Sequence, residues 1–149
     1  MKTAGDVMSR DPATVRPETT VQELAKLFME RHVGLAPVVD ADGDLVGIVT
    51  DTDLIEQDRS LHIPTVIALM DSVFYVGSAR HFEKELNRIT ARTVGEICTR
   101  KVRTVTADTP LEDVADLMVT HRYEGVPVVE GRKVIGIVCR IDLVRTLAG

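Results

Sequence analysis

Apolar residues recur at helical spacing in two separate stretches of the chain, residues 21–28 and 111–118. Positions i, i+3, i+4 and i+7 are apolar in both, which is typical of an amphipathic helix that covers a core. These positions are Val21, Leu24, Ala25 and Phe28 in the first stretch, and Leu111, Val114, Ala115 and Met118 in the second. Capping boxes predict the helix starts, Thr19-x-x-Gln22 and Thr109-Pro110-x-Glu112, with Pro at the first helical position of the second.

Two short runs rich in β-branched residues follow the first helix, at 37–39 and 45–49. The sequence Asp-Ala-Asp-Gly at 40–43 separates them and predicts a hairpin turn. Residues 130–133 have the same place after the second helix. A last helix is expected to begin at Thr50 or Cys139, and a short strand is expected near Thr14 and near Thr104.

The two stretches belong to one internal repeat. Ala-Pro-Val-Val at 36–39 returns as Val-Pro-Val-Val at 126–129, an offset of 90. After the turn the offset is 89, and Val-Gly-Ile-Val at 46–49 matches Ile-Gly-Ile-Val at 135–138. Each copy predicts the order β-α-β-β-α and is too small to bury its own sheet. We therefore expect an α+β fold in which tandem copies pack sheet to sheet about a pseudo-two-fold axis.

Residues 56–92 match nothing in the repeat and predict a helical insert. One short helix is expected from Pro64 to Met70 and another from Ala79 to Ala91. We expect residues 1–149 to form a single module, with the first motif at about 3–55 and the second at about 93–147. Cations recur every four residues in the second helix, which favours a solvated face over a partner surface. These are Arg80, Lys84, Arg88 and Arg92.

Composition and the absence of certain motifs argue against several classes of function. The 149 residues include 18 Lys or Arg against 23 Asp or Glu, a net charge of −5 that disfavours nucleic acid and anionic lipid. The cysteines, Cys98 and Cys139, and the four histidines form no disulfide or zinc pattern. The absence of a signal peptide pattern and of a long apolar run favours a cytoplasmic protein. No nucleophile, phosphate-loop or metalloprotease motif is present, so we do not expect an enzyme.

The repeat resembles the cystathionine-β-synthase (CBS) motif, and the pair of copies resembles a CBS domain pair, or Bateman module. The likeness rests on Asp-Pro-Ala-Thr-Val at 11–15, the hydrophobic-x-Pro-Val-Val strand, the Asp-Gly turn and Gly-Ile-Val-Thr-x-x-Asp-Leu at 47–54. It implies adenosine ligands in two clefts, with AMP, ADP or ATP ahead of S-adenosylmethionine or NAD and no required cofactor. It also implies a homodimer and, because no effector domain is present, a separate effector protein.

The resemblance assigns two sets of ligand-binding residues. In such modules backbone groups hold adenine, an Asp binds ribose, and the Thr three residues before that Asp contacts phosphate. The first set is Thr14, Val15, Ala36, Pro37, Thr50 and Asp53. The second set is Thr104, Val105, Val126, Pro127 and Asp142, with Arg140 as a substitute phosphate donor because Cys139 replaces the Thr. His121 and Arg122, with His32 in the first copy, resemble a His-Arg pair that meets phosphate in related modules.

Structural readings compete with these roles. Thr50 and Asp53 have the spacing of a helix cap, which stabilises a helix start by about 1 kcal/mol. Because Cys139 is a poor cap, capping explains Asp142 less well than ribose binding does. His121 and Arg122 could simply complement a helix C-terminus. The leading hypothesis is a sensor of adenosine nucleotides; the alternatives are an interaction module with vestigial clefts that docks a partner through residues 56–92, and, more distantly, a nucleotide-acting enzyme.

Overall fold

The computed structural model describes residues 1–60 and 92–148. The first repeat contains helices α1 to α3 and strands β1 to β3, and the second contains α4 to α6, β4 and β5. The elements of the first are α1 (Ala4–Val7), β1 (Ser9–Arg10), α2 (Val21–Arg31), β2 (Leu35–Val39), β3 (Leu45–Thr50) and α3 (Asp51–Ser60). Those of the second are α4 (Val94–Ile97), α5 (Leu111–His121), β4 (Gly125–Glu130), β5 (Lys133–Cys139) and α6 (Arg140–Leu147). The two helices expected at 64–70 and 79–91 lie outside the described residues.

The two hairpins form as predicted. β2 pairs antiparallel with β3, and β4 pairs antiparallel with β5. Both turns place a glycine in the left-handed region, Gly43 with φ 83° and Gly131 with φ 64°, which glycine adopts without steric cost. The short strands expected near Thr14 and Thr104 are reduced to single parallel bridges, Val15 with Val38 and Val105 with Val128.

Both capping predictions for the long helices miss by one residue. The N-cap of α2 is Thr20, whose Oγ1 accepts a hydrogen bond from Glu23 N at 3.1 Å. Thr19 Oγ1 instead accepts from Arg16 N at 3.0 Å, which closes the turn before the helix. The box predicted for Thr19 and Gln22 is therefore wrong.

The second helix repeats this arrangement with a proline. Pro110 is the N-cap of α5, not its first helical residue, and it provides no side-chain cap. Thr109 Oγ1 accepts from Thr106 N at 3.0 Å, so its hydroxyl is engaged in the preceding turn. The box predicted for Thr109 and Glu112 is wrong for the same reason.

The N-terminal helix of each repeat packs on the other repeat. Ala4 N donates to Thr109 O at 2.8 Å, and the Ala4 side chain is fully buried in the apolar cluster of the second repeat. In the reverse direction, Val94 N donates to Thr19 O at 2.8 Å, and Val94 is fully buried in the cluster of the first repeat. Each core is therefore completed by a residue from the other copy.

The first short strand of each repeat is exchanged as well. β1 joins the second hairpin, with Ser9 opposite Ile137, which gives a three-stranded sheet in the order β1-β5-β4. In the other direction, Thr99 pairs with Ile48 beside the β2-β3 sheet. This exchange decides which segments of the two repeats meet, and so it decides how the clefts are built.

Candidate functional site

Two clefts lie where the repeats meet. The first, which we call the threonine cleft because Thr50 and Thr52 line it, encloses about 270 Å³. It joins the start of α3 from the first repeat to the segment 99–103 and the start of β4 from the second. Its lining residues are Leu35, Ile48, Thr50, Thr52, Asp53, Thr99, Lys101, Val102, Arg103, Arg122, Tyr123, Glu124 and Gly125.

The second, which we call the cysteine cleft after Cys139, encloses about 540 Å³ and has the reciprocal construction. It joins the start of α6 from the second repeat to the segment 9–13 and the start of β2 from the first. Its lining residues are Ser9, Arg10, Asp11, Pro12, Ala13, Arg31, His32, Val33, Gly34, Leu35, Asp51, Glu124, Ile137, Cys139, Arg140, Ile141, Asp142 and Arg145.

Thr50 and Asp53 form a reciprocal helix cap at the threonine cleft. Thr50 N donates to Asp53 Oδ2 at 2.8 Å, and Asp53 N donates to Thr50 Oγ1 at 3.2 Å. Burial raises the pKa of Asp53, although the hydrogen bonds from Thr50 lower it. Within the described residues no donor reaches Asp53 Oδ1, so this oxygen is available to a ligand hydroxyl while the other holds the helix start.

Asp142 caps α6 in the same way. Cys139 N donates to Asp142 Oδ2 at 2.7 Å, and Arg145 Nη1 donates to Oδ1 at 3.4 Å, while Asp142 is only 4% exposed. Capping therefore accounts for Asp142 as it does for Asp53, because the carboxylate needs only a backbone N–H and not a Thr at the cap. Ribose binding by Asp142 stays a prediction. Burial, with Asp142 and Glu124 nearby, raises the pKa of Cys139 to about 11, so its thiol is protonated at neutral pH.

The structure regroups the first predicted set of ligand residues. Thr50 and Asp53 share a cleft with Arg122 of the second repeat. Val15, Ala36 and Pro37 are buried in the first core and line neither cleft.

Thr14 is exposed outside both clefts, whereas its neighbour Ala13 lines the cysteine cleft. The structure therefore does not bring these six residues to one cleft, because the strand exchange carries the segment around Thr14 to the other repeat's helix.

The structure divides the second predicted set of ligand residues in the same way as the first. Asp142 and Arg140 line the cysteine cleft with residues of the first repeat. Val105, Val126 and Pro127 are buried in the second core. Thr104 lines a separate hollow beside the hairpin turns, whereas its neighbour Arg103 lines the threonine cleft.

The residues at the C-termini of α2 and α5 divide between the clefts. His32 and Arg122 are the C-caps, both left-handed with φ 53° and 57°. Arg122 lines the threonine cleft, and His32 lines the cysteine cleft. His121 instead stacks on Tyr123 with ring centroids 5.1 Å apart and lines a shallow depression on α5. The structure thus places Arg122 and His32 in different clefts and His121 outside both.

Glu124 lines both clefts, and sequence reasoning missed it. Its Oε1 accepts from Thr52 Oγ1 at 3.2 Å and lies 3.8 Å from Arg140 Nη2. Burial and the neighbouring Asp51 carboxylate raise the pKa of Glu124. The aligned residue of the first repeat is Gly34, so the repeat itself could have marked position 124 as one where the copies differ.

Some further lining residues of the threonine cleft that the sequence analysis did not name lie beside predicted positions. Lys101, Val102 and Arg103 precede Thr104, and Tyr123 follows Arg122. The available signal was their proximity to the predicted residues and, for Lys101 and Arg103, a positive charge. Across the described ranges 1–60 and 92–148, no helix has the length and apolar character needed to cross a membrane.

Comparison with known proteins identifies the family. The CBS domain model matches residues 4–60 and 94–149, and the chain belongs to the CBS domain family. The predicted pair of motifs is thereby confirmed, as is the mixed α+β fold.

Relatives match along nearly the whole chain. Uncharacterized protein MJ1426 of Methanocaldococcus jannaschii is 29% identical over 95% of this chain and 89% of its own length. CBSX1, a chloroplastic CBS domain-containing protein of Arabidopsis thaliana, is 32% identical over 96% of this chain and 63% of its own length. The chain therefore spans less than two thirds of the plant relative.

Two similar solved structures hold adenosine compounds. CBSX2 in complex with AMP superposes with a TM-score of 0.75 and 29% identity, covering 99% of this chain and 97% of that one. The CBS domain pair of MJ0100 in complex with 5′-methylthioadenosine and S-adenosyl-L-methionine also has a TM-score of 0.75 and 29% identity, covering 100% and 98%.

Proposed function

We propose that this chain is a regulatory module that binds adenosine ligands such as AMP, ADP or ATP in the clefts between its repeats. The observation that carries this proposal is the composition of the threonine cleft. It combines apolar walls from Ile48 and Val102, a partly buried carboxylate from Asp53, and three cations. The cations are Lys101, Arg103 and Arg122.

Each part of that cleft suits one part of a nucleotide. The apolar walls suit an adenine ring, and the Asp53 carboxylate can accept hydrogen bonds from ribose hydroxyls. The cations and the positive end of the α3 dipole suit phosphate, because positive charge favours an anion there. Two relatives with adenosine compounds bound support the same class of ligand.

Binding would signal by shifting the balance between arrangements of the two repeats or of two subunits. A ligand can do this only if its affinity differs between the arrangements. Both clefts are formed by both repeats, so a ligand contacts each side of the junction it would move. We propose a homodimer as the signalling unit and a separate effector protein as its target, acting without catalysis.

Calorimetric and thermal-shift titrations with AMP, ADP, ATP, S-adenosylmethionine and NAD test the proposal. A ligand at 100 times its dissociation constant stabilises a protein by about 2.7 kcal/mol, which raises Tm measurably. Arg122→Ala is the informative variant, with Arg132→Ala as its matched control, because Arg132 is an exposed arginine that lines neither cleft.

The expected result is nucleotide binding that weakens at least about tenfold in Arg122→Ala. The control should change it far less. Absence of binding by every nucleotide at millimolar concentration would overturn the proposal and favour an interaction module that docks a partner through residues 56–92.

A further inference from the structure

The two clefts differ at the positions that open their helices. Thr50 and Thr52 line the threonine cleft, and the aligned residues of the second repeat are Cys139 and Ile141, which line the cysteine cleft. The Thr50 hydroxyl, which can donate to phosphate, is thus replaced by a thiol, and the Thr52 hydroxyl, which donates to Glu124, is replaced by an apolar side chain. Ile141 is 54% exposed, so its apolar surface is presented at the cleft.

The two clefts also differ in net charge, and this difference again makes the threonine cleft the better site for phosphate. In the threonine cleft three cations, Lys101, Arg103 and Arg122, outnumber the carboxylates of Asp53 and Glu124. The cysteine cleft has four arginines and four carboxylates, which cancel. The carboxylates of that cleft are Asp11, Asp51, Glu124 and Asp142.

The arginines nearest the start of α6 already have acidic partners. Arg140 Nη2 lies 3.8 Å from Glu124 Oε1, and Arg145 Nη1 donates to Asp142 at 3.4 Å. Burial first, and then the nearby Asp51 carboxylate, raises the pKa of Glu124. A phosphate beside α6 would therefore meet arginines whose charge is already balanced by acidic partners. It would also meet the neighbouring carboxylates of Asp51 and Glu124.

We propose that the clefts divide adenosine ligands by the charge of the 5′ substituent. The threonine cleft takes 5′-phosphorylated adenosine, and the cysteine cleft takes adenosine whose 5′ substituent is uncharged or cationic. Asp51 is the specificity-determining residue, because it lines the cysteine cleft and not the threonine cleft and adds negative charge there. This inference rests on the proposed function and assigns a ligand class to each of its clefts.

Two probes that differ at the 5′ position test the division, namely AMP and 5′-methylthioadenosine. Each is titrated calorimetrically into the full chain alone and in the presence of the other at saturation. We expect one molecule of each per chain, with either affinity changed less than about twofold by the other. Arg122→Ala should weaken AMP about tenfold and leave 5′-methylthioadenosine nearly unchanged.

Neutralising the cysteine cleft should admit phosphate there. Asp51→Asn is the sharper variant, because Asp51 is exposed and lines the cysteine cleft, whereas Glu124 lines both. We expect its second AMP to bind about tenfold tighter than in the wild-type chain. Adding Cys139→Thr and Ile141→Thr should bring the stoichiometry to two AMP per chain.

The outcomes separate the two proposals. Mutual displacement of the probes, equal weakening of both by Arg122→Ala, or two equivalent AMP sites in the wild-type chain would overturn the division while leaving adenosine binding intact. Failure of both probes to bind would overturn the proposed function and this inference together. Asp51→Asn alone keeps the charge test valid if the triple variant does not fold.

Discussion

Ile48 and Thr99 exchange both of their backbone hydrogen bonds, N to O in each direction at 2.9 Å, although they belong to different repeats. The contact brings Thr99 over Gly47, where an added Cβ would lie 2.7 Å from the Thr99 carbonyl oxygen. Gly136 has the corresponding place in the second repeat. A Cβ added at Gly136 would lie 3.0 Å from the carbonyl oxygen of Ser9. Close passage of the exchanged segment over glycine is therefore common to both repeats.

Gly47→Ala should destabilise the fold by about 1–3 kcal/mol, because the atom in the way belongs to the backbone and not to a flexible side chain. Urea unfolding measures the loss. Gly131→Asn is the control: no atom lies within 4 Å of its virtual Cβ, and Asn tolerates its φ of 64°. An equally large loss in the control would show that the crossing at Gly47 has no special role.

The exchange also explains what the sequence could and could not predict. The hairpins around Gly43 and Gly131 were predictable because turn residues act locally on their own strands. The partner of Thr99 was not, because two copies with nearly the same pattern offer equivalent edges, and periodicity does not say which edge is used. The predicted sets around Thr50 and Asp142 therefore combine residues that the structure divides between clefts and cores.

Glu124→Gln should stabilise the protein at neutral pH and have little effect in acid. Burial first, and then Asp51, raise the folded pKa of Glu124 above its ordinary value of 4.5, against opposing contributions from Thr52 and Arg140. Between the ordinary and the raised pKa the folded state binds more protons than the unfolded state. The stability contributed by Glu124 is thus full below pH 4.5 and is lost as pH rises through the folded pKa.

Urea unfolding of wild type and Glu124→Gln from pH 4 to pH 8 measures this difference. The variant's advantage should grow as pH rises, and Glu130→Gln, an exposed glutamate at the end of β4, serves as the control. A variant less stable than wild type at pH 7 would mean that the ion pair with Arg140 outweighs burial.

Two apolar side chains at aligned positions of the repeats predict a self-association surface. Ile55 of α3 is 66% exposed and Val144 of α6 is 55% exposed, and the offset between them is the 89 residues of the repeat. Exposed apolar positions shared by both copies are expected where a second copy covers them. Val144→Lys should weaken the proposed homodimer at least about tenfold, because it places an unpaired charge in an apolar interface.

Sedimentation velocity over a concentration series measures that change, and Glu130→Lys adds a lysine outside this surface as a control. A wild-type chain that sediments as a monomer throughout would remove the homodimer. A dimer unaffected by Val144→Lys would place the interface elsewhere.

Cys139 should react slowly with thiol reagents despite its position in a cleft. Its pKa of about 11 keeps the thiol protonated at neutral pH, and only the thiolate is a strong nucleophile. In a Cys98→Ser variant, where Cys139 is the remaining cysteine, reaction with a disulfide reagent at pH 7.5 should be about 100-fold slower than for a free cysteine. The same variant unfolded in urea should react at the free rate. A native rate equal to the unfolded rate would show that burial in the cleft does not raise the pKa of Cys139.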